Sequence, residues 1–403
     1  MLFSTSAITR LYESEAQLNF EAGQAHPLLV ITSYPFYLIA IYLMIRNTSG
    51  AFVLLWKEKF FISLITLSLL SALWSQFPLV TLRESIEFTG LTLFGLYMVM
   101  RFTSEEQHKL MAITLGIIAI FSVITAVLLP KYGIMQWHPY GENHPGAWRG
   151  VFGHKNSLGL YSNFCLIVFL LLNVRELKHR IIKWGIIMLS FCLSILSKSG
   201  GATLIMLIVI CLIPFYKTFH NHIYIRIISY CSAIIVISVV STLLLLKLDS
   251  FLNLMGKDAT LTGRDCLWKG TLGMLERRPL LGYGYGGFWL GGDSGGNVVR
   301  DLCKWAIPHS HNGFLEIGIN LGLVGFFIFF FGYFRTARLA FRNLYLSASN
   351  KSIWPFVFVT LLFLDNITEN NLVFGGGLLW IVFVSITISL YYTNNRQSVR
   401  RTL

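Results

Sequence analysis

The segment Pro308-His309-Ser310-His311-Asn312-Gly313-Phe314-Leu315-Glu316 places two histidines and a carboxylate at the mouth of a long apolar run. Histidine titrates near neutral pH and can take a proton from a hydroxyl. His311 is therefore a candidate general base, with His309 and Asn312 beside it for substrate contact; a capped helix entrance is the plainer alternative. Glu316 lies about one turn into the apolar run, a costly place for a carboxylate unless it is paired or used. His309-x-His311 has the spacing of a metal pair, but no Cys or carboxylate stands nearby at ligand spacing, so no metal is expected there. Gly322 and Gly325, further along the run, read as points of close helix packing.

Three other polar clusters accompany it. Trp148-Arg149-Gly150-Val151-Phe152-Gly153-His154-Lys155-Asn156-Ser157 precedes an apolar run and carries two permanent cations, Arg149 and Lys155. These are either snorkelling interfacial charges or ligands for an anion. Thr262-Gly263-Arg264-Asp265 sets Arg264 at a predicted helix start, where free N–H groups and the helix dipole also favour an anion. Asp365-Asn366-Ile367-Thr368-Glu369-Asn370-Asn371 packs two carboxylates and three amides into seven residues. It is either a solvated turn or a group, Asn366 and Glu369 among it, that orients a polar acceptor. Gly282-Tyr283-Gly284-Tyr285-Gly286-Gly287 satisfies G-x-G-x-x-G, but no strand–helix context surrounds it. A loop presenting aromatic rings to sugar or lipid is expected instead of a dinucleotide site.

The elements that must position these clusters are membrane-spanning helices. Of the 403 residues, 55% are apolar and 13% charged, and the mean hydropathy is +0.63. Soluble domains carry roughly 25% charge. A hydrocarbon core about 30 Å thick takes around 20 apolar residues per helix, and open strands would leave backbone groups unpaired in lipid. The predicted architecture is an all-α polytopic membrane protein, one domain over 1–403, with about 11 spans (10–12). The runs are 28–45, 60–74, 86–100, 110–129, 157–173, 181–197, 201–216, 223–246, 312–334, 353–364 and 372–392. Two long loops, 130–156 and 247–311, lie on one side, the second containing an amphipathic helix at 262–278 with a face of Leu267, Thr271, Met274 and Leu275.

The net charge of +13 is distributed by topology. With the N-terminus outside, the short cytoplasmic segments hold 18 Lys and Arg and the short segments opposite hold 3. That is a positive-inside bias, not a nucleic-acid footprint. No apolar core of signal-peptide length occurs in residues 1–26. Cys165, Cys192, Cys211 and Cys231 fall in predicted spans as small apolar residues. Cys266 and Cys303 share the second loop, and no spacing rule decides whether they pair.

Taken together these blocks resemble the O-antigen ligase and O-antigen polymerase superfamily, closest to its exopolysaccharide polymerase branch. His311-Asn312, nine residues, Gly322, two residues and Gly325 match the family's H-N-x9-G-x-x-G pattern. Arg149 to Asn156, Gly263-Arg264 with Trp268, Arg278 to Gly284, Trp74-Ser75-Gln76-Phe77-Pro78 with Arg83, and Asn366 with Glu369 are similar to the branch in the same order. Where the branch has Ser-Arg-Thr, this chain reads Ser197-Lys198-Ser199, and Lys198 keeps the charge.

The resemblance implies a GT-C-like glycosyltransferase fold in a bacterial inner membrane, with the active site on the periplasmic side. It implies an undecaprenyl-diphosphate-linked oligosaccharide donor and a glycan acceptor, either a second lipid-linked repeat unit (polymerase) or lipid A core or protein (ligase). It also leaves room for a chain-length regulator protein as partner. Arg149 and Arg264 would grip the diphosphate as guanidinium forks, with Lys155 as a third cation. His311 would act as general base on the acceptor hydroxyl, and Glu369 or Glu316 would orient it. No cofactor, metal or nucleotide is expected, because the donor arrives activated. A lipid-linked oligosaccharide transporter is the non-catalytic alternative, though its polar groups should run deep through many spans.

Overall fold

The computed structural model describes residues 58–137, 144–217, 264–304, 307–346, 350–371 and 377–401. The expected spans 28–45 and 223–246, together with Cys231, Thr262 and Gly263, lie outside the described residues. Among those described the protein is all-α, with no strand and a single isolated bridge between Ile134 and Trp148.

The first helices show how local chemistry sets their ends. Helix α1 (Lys59–Leu70) ends in a 3-10 turn, Ser71–Leu73, and α2 (Pro78–Arg101) opens with Pro78, whose fixed φ and missing N–H suit a first helical position. The expected run began at 86 because Arg83 and Glu84 break the apolar pattern, yet both lie inside the helix. α3 (Ser104–Leu128) starts on a capping box in which Thr103 and Glu106 satisfy each other's backbone N–H groups. A one-turn helix, Pro130–Gly133, then leads across the loop to α4 (Lys155–Leu171), α5 (Leu177–Leu196) and α6 (Gly200–Lys217).

After the second loop, which holds α7 (Arg264–Arg277) and α8 (Gly295–Cys303), the chain returns as α9 (Gly313–Leu346), α10 (Asn350–Thr368) and α11 (Gly377–Arg401). Helices α3, α5 and α9 are long and apolar enough to cross a membrane, and shorter apolar helices lie at Lys59–Leu73, Lys155–Leu171, Gly200–Pro214, Ser352–Thr368 and Gly377–Tyr392. α5 shows Ile181, Ile182, Trp184, Met188 and Ile195 on its outside, a surface suited to lipid. α4, by contrast, is buried along most of its length, with Phe164, Cys165, Leu166, Ile167 and Val168 at its centre.

Contacts between helix ends gather the polar clusters at one end of the bundle. At that end Trp148 N–H donates to Leu196 O, and Gly313 N–H to Glu369 O, at 3.0 and 2.9 Å. At the other end His108 meets Val168 O, and Arg335 makes a bidentate pair with Glu58.

The amphipathic helix expected at 262–278 is described as α7 from Arg264 to Arg277, and it buries Leu267, Thr271 and Met274. With Tyr283, Phe288, Trp289, Val299, Ile307 and Ile319 it forms a small separate core over the bundle end. Cys266 and Cys303 form a disulfide across this unit.

Two expectations about glycines need correcting. Gly322 does not serve helix packing: it sits at φ 66°, breaking α9, in a region that L side chains rarely adopt. Around the break, Tyr283 N–H donates to Ile319 O (3.0 Å), Gly284 N–H to Asn320 O (2.9 Å) and Leu323 N–H to Pro279 O (2.8 Å). A Cβ on Gly322 would run into the backbone of Leu280. The Gly282–Gly287 loop is thus the partner of the helix break. Its rings do not face outward either, since Tyr283 and Tyr285 are both buried.

Candidate active site

Glu369, just past the end of α10, lies at the centre of the polar end of the bundle. Its Oε1 accepts Nη2–H of Arg264 and Nδ2–H of Asn156, both at 2.8 Å. Its Oε2 meets Nδ1 of His311 at 3.1 Å. Four helices therefore contribute: α4 gives Asn156, α7 gives Arg264, the entrance of α9 gives His311, and the exit of α10 gives Glu369.

A carboxylate only accepts, so Nδ1 of His311 carries the proton and Nε2 carries the lone pair. That is the tautomer a general base needs. The backbone reinforces the placement, because His311 adopts φ 48°, a strained conformation for a residue with a Cβ. Its N–H donates to Nδ1 of His309 at 3.2 Å, and the two rings lie 4.1 Å apart.

Burial pushes the Glu369 carboxyl up, but the hydrogen bond from His311, the charges that His311 and His309 carry when protonated, and the charge of Arg264 outweigh it and hold it below its ordinary value. The site thus keeps an ionised carboxylate behind the imidazole. Arg264 has five N–H donors, and Glu369 takes one of them, which leaves a fork to turn toward an anion.

Several predicted residues occupy supporting positions. Asn312 caps α9, its Oδ1 accepting from the N–H groups of Phe314 and Leu315 at 3.0 Å each. Asn366 is buried against Gly313, so closely that a Cβ there would collide with its amide. Glu316 does not reach His311; it accepts from Ser310 N–H at 2.9 Å, Trp289 Nε1–H at 3.0 Å and Asn320 Nδ2–H at 3.1 Å. Lys155 is buried at the start of α4, its Nζ 3.5 Å from Lys198 O, and Lys198 itself stands at φ 49°. Arg149 spends Nε and Nη2 on the carbonyls of Tyr132 and Lys131, at 2.7 and 3.1 Å, and does not enter the Glu369 network.

Two participants escaped the sequence reading. Asn156 was visible in its block only as a neighbour of Lys155, and Ser199 only as a neighbour of Lys198. Ser199 Oγ donates to Asn156 Oδ1 at 3.0 Å, which turns the amide so that its N–H faces Glu369.

The expectation that His309 and His311 lack a carboxylate partner is also corrected. Ligand atoms of His309, His311 and Glu369 lie within 4.8 Å of one another, because α10 returns beside α9. Three ligands are enough for a metal site with an open position. Arg264, however, already neutralises the same carboxylate, and its guanidinium would stand beside any cation held there.

The O-antigen ligase family model matches residues 184–330, a stretch that contains Arg264 and His311 and omits Asn156 and Glu369. The chain is also similar to the exopolysaccharide production protein ExoQ of Rhizobium meliloti (strain 1021), at 24% identity over 262 residues. That match covers 62% of this chain and 58% of the relative's length. Both findings support the resemblance to the O-antigen ligase superfamily, near its exopolysaccharide branch.

Proposed function

We propose that the protein is an inverting, metal-independent membrane glycosyltransferase that polymerises undecaprenyl-diphosphate-linked oligosaccharide repeat units for a surface polysaccharide. The observation that carries this reading is the Glu369 carboxylate bridging His311 and Arg264. One partner is a base aimed by its tautomer, and the other is a cation suited to a departing diphosphate.

In the proposed reaction an acceptor hydroxyl gives its proton to Nε2 of His311 while its oxygen bonds to C1 of the donor sugar. The C1–O bond to the diphosphate breaks on the opposite face, and undecaprenyl diphosphate leaves with the electron pair. Its growing charge is met by Arg264, with Lys155, Lys198 and Arg149 as further cations at the same end of the bundle. Glu369 steadies the imidazolium that forms, as the orienting carboxylate behind a catalytic histidine does elsewhere. The donor's leaving group supplies the activation, so no nucleotide or metal is required.

The clustering of polar groups at one end supports a catalyst over a transporter. The excess of Lys and Arg in the opposite turns supports a periplasmic position for that end and for loops 130–156 and 247–311. A ligase acting on lipid A core or protein is the second reading, since the matching family model is described as an O-antigen ligase. Purified protein incubated with a lipid-linked repeat alone distinguishes them. A ladder of longer lipid-linked products is expected; product formed only when another acceptor is added would favour the ligase.

A further inference from the structure

We infer that the Cys266–Cys303 disulfide is a positioning element for Arg264, holding the Arg264–Cys266 stretch of α7 so that its arginine meets Glu369. The inference rests on the proposed role of Arg264 at the donor diphosphate.

The rest of α7 is fixed without the bridge. Leu267, Thr271 and Met274 are buried, Tyr283 Oη–H donates to Met274 O at 2.9 Å, and Trp268 Nε1–H donates to Ser310 O at 3.0 Å. Among the described residues, the stretch from Arg264 to Cys266 has less to hold it. Asp265 pairs with Lys269 at 3.3 Å, but both side chains are well exposed, and such pairs contribute little. Arg264 opens the described part of α7, and Cys266 follows two residues later.

The partner, Cys303, closes α8, with Cα atoms 5.7 Å apart, a separation natural to a disulfide. α8 is a firm anchor. Gly270 of α7 lets Val299 approach so closely that a Cβ would stand 3.0 Å from it. Arg300 donates to Ile307 O at 2.8 Å and to Asn297 Oδ1 at 2.6 Å, and it lies over the Trp289 ring. Ile307 leads directly into Pro308 and His309. The bridge therefore ties the arginine's stretch to the frame that carries the histidines. It forms when two thiols give up two protons and two electrons to a thiol–disulfide oxidoreductase, a reaction of oxidising compartments.

The test is a double-mutant cycle on polymerisation of lipid-linked donor, combining Cys266→Ser/Cys303→Ser with Arg264→Ala. Mass spectrometry of unreduced wild type should yield the 266–303 linked peptide. The double serine variant should lose about tenfold in turnover, with a raised KM for donor, because a small misplacement of a positioning group is costly. In the Arg264→Ala background the same change should cost nothing further, since coupled residues are non-additive. An equal loss in both backgrounds, full activity without the bridge, or free thiols in the native protein would overturn the inference. Full activity in Arg264→Ala alone would instead overturn the reading of the site.

Discussion

Glu316, buried, and Glu369, partly buried, are two carboxylates at the same end of the bundle, each accepting three hydrogen bonds, and they differ in what donates. Glu316, 2% exposed, is filled by a backbone N–H, an indole and an amide, all neutral and none able to take or give a proton at ordinary pH. Glu369, with a side chain 14% exposed, is filled by a guanidinium, an imidazole and an amide. The first arrangement is a staple that fixes the loop before His311. The second couples a permanent cation to a titratable base through one carboxylate. Burial alone therefore does not mark the functional acid; the chemistry of its donors does.

The largest expected effect lies on the Glu369 side. His311→Ala should lose about 10²–10⁴-fold in turnover while retaining donor binding, as removal of a general base does. Glu369→Gln should fall in the same range at normal protein level, because it removes the charge that supports the imidazolium. The double variant should be little worse than either single one, since members of a catalytic unit are not additive. Kinetics on purified variants check this, and additive losses would separate the two residues.

Glu316→Ala should break the other half of the comparison in a different currency. It leaves Ser310 N–H and the Trp289 indole without their acceptor, at a cost of about 1–3 kcal/mol for each unsatisfied group. Folded yield and Tm should drop, while turnover per folded molecule falls by less than about tenfold. A variant of normal stability with no turnover would make Glu316 a participant in the chemistry.

A smaller effect compares the arginines. Arg264→Lys should raise the donor KM and recover only part of the turnover lost in Arg264→Ala, because a point charge replaces a fork. Arg149, occupied by the carbonyls of Tyr132 and Lys131, should tolerate Lys with a loss of only a few fold. Steady-state kinetics with varied donor concentration tests both, and equal losses at the two positions would return Arg149 to the centre of the site.

The same contrast explains what could be read from the chain. His311 was legible as a candidate because it opens an apolar run within the H-N-x9-G-x-x-G pattern, with a capped helix entrance as the alternative, and α7 because its apolar face and following Pro279 mark a helix and its end. Glu369 was legible as a candidate but not as the partner, since it reaches His311 across 58 residues and Asn156 across 213. Sequence spacing carries no information about such pairs, which is also why the carboxylate beside His309 was missed. The start of α2 was misjudged because the apolar window stops short of Glu84, whereas the helix continues through its Arg83–Glu84 pair to Pro78. Gly322 was recognised by spacing, yet its reason is a backbone angle that no hydropathy pattern reveals.

The smallest effect concerns acid. An ordinary glutamate titrates near 4.3, and His311, His309 and Arg264 together hold Glu369 below its ordinary value against the opposing effect of burial. The folded protein therefore keeps this carboxylate ionised at a pH where the unfolded chain has begun to protonate it. The stability it contributes is fully present above the unfolded value and is lost as pH falls through the lower, folded one. Wild type and Glu369→Gln should consequently differ most in Tm near neutral pH, and the gap should narrow only once the pH drops below the ordinary carboxylate range. Glu316→Gln offers no matching cation to lose, so it serves as the comparison in the same detergent and buffers. Parallel Tm curves for wild type and Glu369→Gln across that acid range would show that Arg264 and His311 do not hold Glu369 ionised, and the distinction between the two carboxylates would rest on geometry alone.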